Sequence, residues 1–420
     1  MAFSLSNTLK SLNIEKLKAR LPMAPPVKAS KMPEKPTPSP IAVDFGSGSL
    51  KVLQIMLGTF TEPARLLSAA SVPTPPELLG KDADRLAFQI EHLAAALRSG
   101  HFKGKRAVCA VSARRTFVQH VQLPMNGVGS VGDRVKEQLI MQAGCDPNLL
   151  IVRHVEAGEV KRQGQTKIET ICFVMPRDTV VGHMEALKQA KLECVGVHSE
   201  HQALVRTFDP ITKRDDDDKL TSVYIDLGAT TTKMTIAHGR RLVLAKTIQV
   251  GWAHLRGKGL GVGTQAGTLA QFAASVQHER EVVSESEAVT GPITGDIPVD
   301  RRSGAAPKGH IEIPTNDQAA AMKVTSATEQ MTDEIGMGLR YHAALFPARP
   351  VGRAVFVGGG ACDMELCRHI AKKLRLAAQI ADPISTVDSG GATELNGLDL
   401  TVPQPGWAVP LGLCLSPTDL

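Results

Sequence analysis

The 420-residue chain has few of the features that mark secreted or membrane-spanning proteins. Its seven cysteines include no CxxC pair, and an odd number is typical of reduced thiols rather than of a disulfide framework. No apolar run approaches the roughly 20 residues that a membrane helix needs, and the N-terminus lacks the continuous apolar core of a signal peptide. We therefore expect a soluble, cytoplasmic protein.

A basic stripe is also missing from most of the chain. Residues 1–40 hold seven basic and two acidic side chains, and so account for +5 of the net charge of +6. The remaining body is close to neutral, which argues against nucleic-acid binding. Within the basic arm, residues 1–21 have the apolar spacing of an amphipathic helix, which could contact an anionic membrane or a partner. A weakly helical tail is the alternative. Residues 22–40 are rich in proline and predict an extended linker.

The most informative segment is residues 41–55, IAVDFGSGSLKVLQI. An apolar strand ends near Asp44, a tight glycine turn follows, and a second strand begins. Backbone N–H groups, hydroxyls and a lysine in such a turn can hold phosphates, and the acid can hold a hydrated Mg²⁺. A simple hairpin is the alternative. The predicted phosphate-binding residues of this first loop are Gly46, Ser47, Gly48, Ser49 and Lys51.

The same pattern returns in residues 223–239, VYIDLGATTTKMTIAHG. Asp226 follows Asp44 by 226 − 44 = 182 residues, roughly the length of one domain. An internal repeat at that distance predicts two halves that face each other across a cleft. The predicted phosphate-binding residues of this second loop are Gly228, Ala229, Thr230, Thr231 and Lys233.

A third glycine motif lies in residues 353–374, where an apolar strand is followed by Gly358, Gly359 and Gly360 and then by a helical pattern. Glycines at such a turn let the backbone approach a flat ligand closely. Each motif alone is weak, but their order and spacing make the set fairly specific.

The three motifs together resemble the actin-like ATPase superfamily. Within it, residues 41–415 are most similar to the PilM-type, FtsA-related proteins of type IV pilus and type II secretion assembly. The resemblance extends to residues 119–150, 171–208 and 353–384. It implies an α/β fold in which two RNase H-like lobes surround a nucleotide cleft, with the small extra subdomain of the FtsA and PilM proteins.

The resemblance also implies domain boundaries. We expect the first lobe in 41–106 and 176–212, and the inserted subdomain in 107–175. The second lobe is expected in 221–405, with a surface insertion at 281–314, and a final helix at 406–420 that returns to the first lobe.

For the site, the resemblance implies ATP and Mg²⁺. Asp44 and Asp226 would hold the metal through water, and Gly358 to Gly360 would back the adenosine. Gln202 and Glu200 are candidates for orienting the attacking water, although both could merely cap a hinge helix. The family's ribose-contacting helix has only a poor substitute at 271–281. Because of that departure, we expect at most slow ATP hydrolysis.

The expected function is a cytoplasmic ATP-binding scaffold, peripheral at the inner membrane, in type IV pilus assembly. Its expected partner is the short cytoplasmic N-terminal tail of a PilN-like membrane protein, docked on the inserted subdomain, with self-association left open. An FtsA-like filament protein and a nucleotide-binding scaffold without turnover are the alternatives. A small-molecule kinase is disfavoured, since no catalytic Asp is evident at a substrate cleft.

Overall fold

The computed structural model describes residues 35–59, 61–162, 164–209, 219–256, 267–288, 316–390, 392 and 395–418. The predicted amphipathic segment and most of its proline-rich linker lie outside the described residues. So does the predicted insertion beyond residue 288. Residues 281–288 belong to a helix, so the first part of that insertion is helical.

Fifteen strands can be traced through the described part of the chain, and most are short and buried. They are β1 (Thr37–Pro38), β2 (Ile41–Phe45), β3 (Ser49–Leu57), β4 (Arg65–Pro73), β5 (Arg106–Val111), β6 (Phe117–Pro124), β7 (Leu150–Arg162), β8 (Gln165–Pro176), β9 (Glu193–Ser199), β10 (Thr221–Leu227), β11 (Thr232–His238), β12 (Arg241–Ile248), β13 (Arg353–Val357), β14 (Ala378–Ile380) and β15 (Leu395–Asn396).

The α-helices alternate with these strands. They are α1 (Asp82–Arg98), α2 (Val131–Ala143), α3 (Arg177–Gln189), α4 (Glu200–Thr207), α5 (Trp252–Leu255), α6 (Leu269–Ala288), α7 (Asn316–Leu345), α8 (Met364–Leu374) and α9 (Ala408–Cys414). No helix among the described residues is long and apolar enough to span a membrane.

Two sheets share one topology. The first has the order β15-β4-β3-β2-β5-β9, and the second has the order β12-β11-β10-β13-β14. In the first sheet, β2 pairs antiparallel with β3 and parallel with β5, and β4 and β9 extend the two sides. In the second sheet, β10 pairs antiparallel with β11 and parallel with β13, and β12 and β14 extend the two sides. The internal repeat predicted from the two loops is therefore a repeat of a whole five-stranded unit.

Helices cover both faces of the first sheet. Alternate residues of β2 point to opposite faces, so Ile41 and Val43 pack with Leu93 of α1 and Leu187 of α3, whereas Ala42 packs against α9. Helix α4 lies between the two sheets, because Ala203 belongs to the core of the first sheet and the next residues to that of the second.

The inserted subdomain is a three-stranded antiparallel sheet with the order β6-β8-β7, together with α2. One face, which includes Ile171 and Phe173, packs on the second sheet, and the other packs on α2 and α6. Strand β5 pairs with β2 and β9 in the first sheet, so the predicted start of this subdomain at residue 107 includes a strand of the first lobe.

The C-terminal part of the chain returns to the first lobe earlier than expected. The second sheet ends at β14, and Ile384, Val387 and Leu398 already pack in the core of the first sheet. Strand β15 pairs with β4 in that sheet. The described residues 384–387 and 395–398, assigned to the second lobe from the sequence, therefore lie on the first lobe.

Candidate functional site

The ends of both sheets face one cleft, which contains a cavity of about 180 Å³. Most of the predicted site residues line it: Asp44, Gly46, Ser47, Gly48, Ser49, Lys51, Glu200, Asp226, Gly228, Ala229, Thr231, Lys233, Gly358 and Gly359. The fold thus brings together three motifs that are far apart in the sequence. Gln202, Thr230 and Gly360 lie outside this lining.

The first loop is held from behind by α1. Arg85 Nη1 donates to the carbonyl of Phe45 at 2.9 Å, and Gln89 Nε2 donates to the carbonyl of Gly46 at 2.8 Å. Both side chains are buried. In front of the loop, Lys51 lies directly opposite Asp44 in the β2–β3 register. The loop conformation therefore depends on two polar side chains that the sequence analysis did not single out.

The second loop is held by the start of α5. The N–H of Trp252 donates to the carbonyl of Gly228 at 2.9 Å, and the N–H of Ala253 donates to that of Ala229 at 3.1 Å. Lys233 lies opposite Asp226 in the β10–β11 register, and its Nζ is 2.9 Å from Asp226 Oδ2. The two loops thus present the same pair of an aspartate and a lysine at equivalent positions of the two sheets.

The loops also contact each other across the cleft. The N–H of Thr230 donates to Ser47 Oγ at 3.4 Å, and a Cβ on Gly48 would lie 3.2 Å from that of Ala229. The N–H of Gly228 donates to the carbonyl of Asp226 at 3.1 Å. Two of the N–H groups predicted to hold phosphates have protein partners in this structure, and would exchange them on binding.

Helix α4 carries both candidates for orienting a water, and one of the two side chains points into the cleft. Ser199 is the N-cap and accepts from the N–H of Gln202 at 3.2 Å, so a serine does the capping. Glu200 is buried and accepts from the N–H of Ala113 at 2.8 Å and from Lys233 Nζ at 3.2 Å. The Gln202 side chain instead lies 3.3 Å from Ser199 Oγ. Of the two, only Glu200 is placed to face a ligand.

Burial and charge shift the pKa values of the cleft. Burial, and next the nearby Glu200, raise the pKa of Asp44 to about 6. Burial lowers the pKa of Lys51, although Asp44 opposes this. Burial alone would also lower the pKa of Lys233, but Asp226 and Glu200 together raise it. Lys233 is therefore a fully charged ammonium inside the cleft.

The third glycine motif packs against the second loop and the C-terminal segment. Gly358 has a φ of +83°, and its N–H donates to the carbonyl of Pro405 at 2.9 Å. A Cβ on Gly360 would lie 2.9 Å from the Cβ atoms of Leu227 and Trp252. The motif needs glycine because the chain passes so close to the loop that carries Asp226.

Several lining residues were not predicted. Ser112, Trp252, Pro405 and Gly406 line the cavity, and Pro405 and Gly406 come from the segment before α9. The segment 271–281, a poor substitute for a ribose-contacting helix, contributes no lining residue. It lies in α6, where Phe272 stacks on Phe117 of the inserted subdomain and Glu279 pairs with Arg115.

These residues fit a magnesium-bound phosphate group. Glycines at the loops keep side chains away from the cleft, and carboxylates, hydroxyls and ammonium groups surround it. The cavity is smaller than the roughly 300–1,000 Å³ of pockets that enclose whole ligands. It thus matches a phosphate-and-metal group, and an adenosine would extend beyond it. Among the described residues, no three His, Cys, Asp or Glu side chains are arranged to hold a metal ion.

Known proteins resemble this chain in structure rather than in sequence. No family model and no curated protein matches it. A PilM–PilN type IV pilus biogenesis complex matches with a TM-score of 0.59 at 16% identity, covering 91% of this chain and 98% of that chain. EutJ, an ethanolamine utilization protein from Carboxydothermus hydrogenoformans, matches with a TM-score of 0.40 at 11% identity, covering 91% of each chain. MreB 5 of Spiroplasma citri bound to AMPPNP matches with a TM-score of 0.38 at 12% identity, covering 90% of this chain and 95% of that chain.

The duplicated sheets and the cleft between them define an actin-like α/β fold with an inserted subdomain, as predicted from the sequence. A solved structure from the PilM–PilN complex shares this fold over 98% of its own length. The predicted likeness to PilM is therefore confirmed at the level of the fold.

Proposed function

We propose that the cleft binds the phosphates of a nucleotide, ATP, together with Mg²⁺. The observation that carries this proposal is the repeated pair of an aspartate and a lysine, Asp44 with Lys51 and Asp226 with Lys233, at equivalent positions facing one cavity. Structural duplication alone does not require charged residues at the same place in both sheets. Paired carboxylates and ammonium groups suit a ligand that combines several negative charges with a cation.

Each group of the cleft then has a role toward that ligand. Asp44 and Asp226 would hold the metal through its waters, and the lysines would offset phosphate charge. Free N–H groups of the glycine turns would donate to phosphate oxygens. When bound, the metal supplies neutralisation of the phosphate charge. Glu200 is the carboxylate placed to orient a water, and we propose at most slow hydrolysis, so that the nucleotide mainly sets the shape of the protein.

Thermal unfolding in the presence of Mg-ATP tests this proposal. We expect wild type to be stabilised by Mg-ATP, because a ligand that binds only the native state raises its stability by mass action. Asp44→Ala and Asp226→Ala should lose most of this response. Asp84→Ala is the matched control, because Asp84 is exposed on α1 and does not line the cavity. An equal response in wild type and both cleft variants would refute the nucleotide site.

We further propose that the protein is a scaffold of type IV pilus assembly at the inner face of the inner membrane, where it binds the cytoplasmic tail of a PilN-like protein. The likeness to a chain of the PilM–PilN complex supports this proposal. The tail would dock on the inserted subdomain. Residues 1–21 would touch the membrane surface. A comparison of how the full chain and a chain lacking 1–21 bind to anionic vesicles would test this contact.

Deleting 107–175 is not a clean test of docking, because it would remove β5 from the centre of the first sheet. Point substitutions are better. Val128 and Met141 are apolar side chains of the inserted subdomain, 96% and 74% exposed. We expect Val128→Asp and Met141→Glu to reduce capture of the protein by an immobilised tail peptide. Met364→Glu is the control, since Met364 is 65% exposed on α8 of the second lobe, outside the inserted subdomain. Equal capture of all variants would exclude this surface.

A further inference from the structure

The wall of the cavity in the cleft includes one aromatic side chain. Among the described residues that line the cavity, Trp252 is the single aromatic one, whereas most of the others are glycines, hydroxyl residues, carboxylates and lysines. Aromatic residues make up only 4% of the chain, and Trp252 and Trp407 are its two tryptophans. Phosphates and a metal do not require an aromatic ring, so the indole points to another part of the ligand.

Trp252 is anchored where the second loop meets the third glycine motif. Its N–H donates to the carbonyl of Gly228 at 2.9 Å, so the side chain begins directly beside a phosphate-binding turn. A Cβ on Gly360 would lie 2.9 Å from the Cβ of Trp252, and one on Gly359 would lie 3.9 Å from the indole Nε1. The side chain therefore runs along the glycines that are expected to back the adenosine.

The guanidinium of Arg256 lies over the same ring. Its Cζ is 5.6 Å from the ring centroid, near the roughly 6 Å limit of cation–π contacts. Arg256 also pairs at 3.3 Å with Asp363, the N-cap of α8, and the two side chains are 58% and 32% exposed. Such an exposed pair is weak, so the guanidinium can shift while the indole stays anchored. Both groups are planar, and both stack on nucleobases.

We propose that Trp252 is the platform on which the base of the bound nucleotide stacks, with Arg256 as a second planar contact. This inference rests on the proposed nucleotide site, and it names the residues that distinguish a nucleotide from a bare polyphosphate. The cavity of about 180 Å³ accommodates phosphates and metal, so the nucleoside extends beyond it. A path along Gly359 brings the base to the indole, which is half-buried and presents part of its surface to a ligand.

Trp252 also has a packing role, which has to be separated from base stacking. Its side chain packs against an apolar cluster of Leu79, Ala229 and Ala253, in which Leu79 comes from the first lobe. If packing were the whole contribution of the indole, its loss would weaken every ligand of the cleft alike. Stacking instead predicts a loss confined to ligands that carry a base, of at least about fivefold in affinity.

Titration calorimetry with Mg-ATP and Mg-tripolyphosphate tests this difference in wild type, Trp252→Leu and Trp252→Phe. In Trp252→Leu, we expect ATP to bind at least about fivefold more weakly, and tripolyphosphate to keep its affinity within about twofold. Trp252→Phe retains an aromatic ring and should stay within about threefold of wild type for both ligands. Leu79→Ala is the matched control, because it loosens the same cluster without removing the ring, and the ratio of the two affinities should not change.

Fluorescence of the wild-type chain covers the case in which a Trp252 variant does not fold. A base that stacks on the indole quenches it, so saturating Mg-ATP should lower the tryptophan emission more than saturating Mg-tripolyphosphate does. Trp407 is buried in the first lobe beside Lys51, so phosphate binding should affect its emission to the same extent with both ligands. The difference between the two ligands therefore reports on Trp252.

The possible outcomes separate the two proposals. Equal emission changes with both ligands would overturn the stacking platform and leave the nucleotide site intact. A Trp252→Leu variant that weakens both ligands alike, or neither, would do the same, as would a Leu79→Ala variant that selectively weakens ATP. A wild type that binds neither Mg-ATP nor Mg-tripolyphosphate would overturn the nucleotide site as well.

Discussion

Gly358 and Asp226 lie so close together that no side chain fits between them. A Cβ on Gly358 would be 2.2 Å from Asp226 Oδ1 and 2.7 Å from the carbonyl oxygen of Leu227, and the residue has a φ of +83°. The third glycine motif therefore fixes the position of the carboxylate in the second loop. Its role is to shape the cleft from behind, in addition to any contact with a nucleotide.

Substitution of this glycine should damage stability and the site together. Gly358→Ala places a Cβ in the left-handed region and into the Asp226 carboxylate, so we expect a loss of at least about 2 kcal/mol in the free energy of unfolding. The response to Mg-ATP should be lost as well. Gly359→Ala is the control, because its Cβ would meet only Trp252 Nε1 at 3.9 Å. Urea unfolding measures the free energy of unfolding of both variants, and equal values would contradict the prediction.

The contact between α9 and α4 should be equally intolerant of a methyl group. A Cβ on Gly412 would lie 1.8 Å from the carbonyl oxygen of Ala203 and 2.7 Å from Thr207 Oγ1. Gly412→Ala should therefore lower the free energy of unfolding by about 3 kcal/mol or more. Gly182→Ala in α3 has open space and should raise it by roughly 0.5–1 kcal/mol. Denaturant unfolding measures both, and a neutral Gly412→Ala would show that the two helices can separate.

Acid should destabilise the protein through buried histidines such as His183. Burial lowers the pKa of His183 to about 4, and its ring packs edge-on against Phe45. A histidine with a lowered folded pKa stabilises the fold fully above its unfolded pKa of about 6.5 and loses that contribution as the pH falls toward 4. The loss is up to about 3 kcal/mol for this group.

His183→Gln should make the free energy of unfolding depend less on pH between 6.5 and 4. Glutamine can still donate to the carbonyl of Thr179 but cannot take up a proton. Urea midpoints measured from pH 7 to pH 4 give the comparison. His369→Gln serves as the control because His369 is exposed on α8. A wild-type stability that stays constant between pH 6.5 and 4 would be inconsistent with the buried neutral histidine.

The attachment of α6 to the inserted subdomain should depend on packing more than on charge. Phe272 stacks on Phe117 with ring centroids 5.5 Å apart, whereas the bidentate pair of Arg115 and Glu279 is 30% and 54% exposed. We expect Phe272→Ala to cost about 2 kcal/mol and Arg115→Ala less than about 1 kcal/mol. Hydrogen exchange in residues 269–280 reports the release of the helix. A larger effect of Arg115→Ala would reverse this ranking.

The two loops could be predicted because their signals are local, and the fold was implied by the family resemblance that these loops carry. Each apolar strand, its terminal aspartate and its hydroxyl-rich turn lie within about fifteen residues, and the repeat at Asp226 doubles the signal. The partners of those loops could not be predicted in the same way. Arg85 and Gln89 reach the first loop from about 40 residues away, and Pro405 reaches the third motif only through the folded chain.

The boundary of the inserted subdomain illustrates the same limit. In sequence, β5 is one more apolar strand before β6, and only its parallel pairing with β2 and β9 assigns it to the first sheet. Glu200 and Gln202 were likewise equivalent candidates by position. In the folded chain, Ser199 bonds to the backbone N–H and to the side chain of Gln202, whereas Glu200 lines the cleft. Composition alone does not reveal that difference.

The return of the C-terminal segment to the first lobe has a consequence for biosynthesis. The face of the first sheet built from Ala42 and Leu53 is covered by Trp407, Val409 and Leu411, which follow the whole second sheet in the chain. During synthesis, that face stays uncovered until the segment that carries these three residues has left the ribosome. The core of the first lobe is therefore completed only after the strands of the second sheet have been made. Premature termination before residue 400 would leave an exposed apolar surface for chaperones and proteases to recognise.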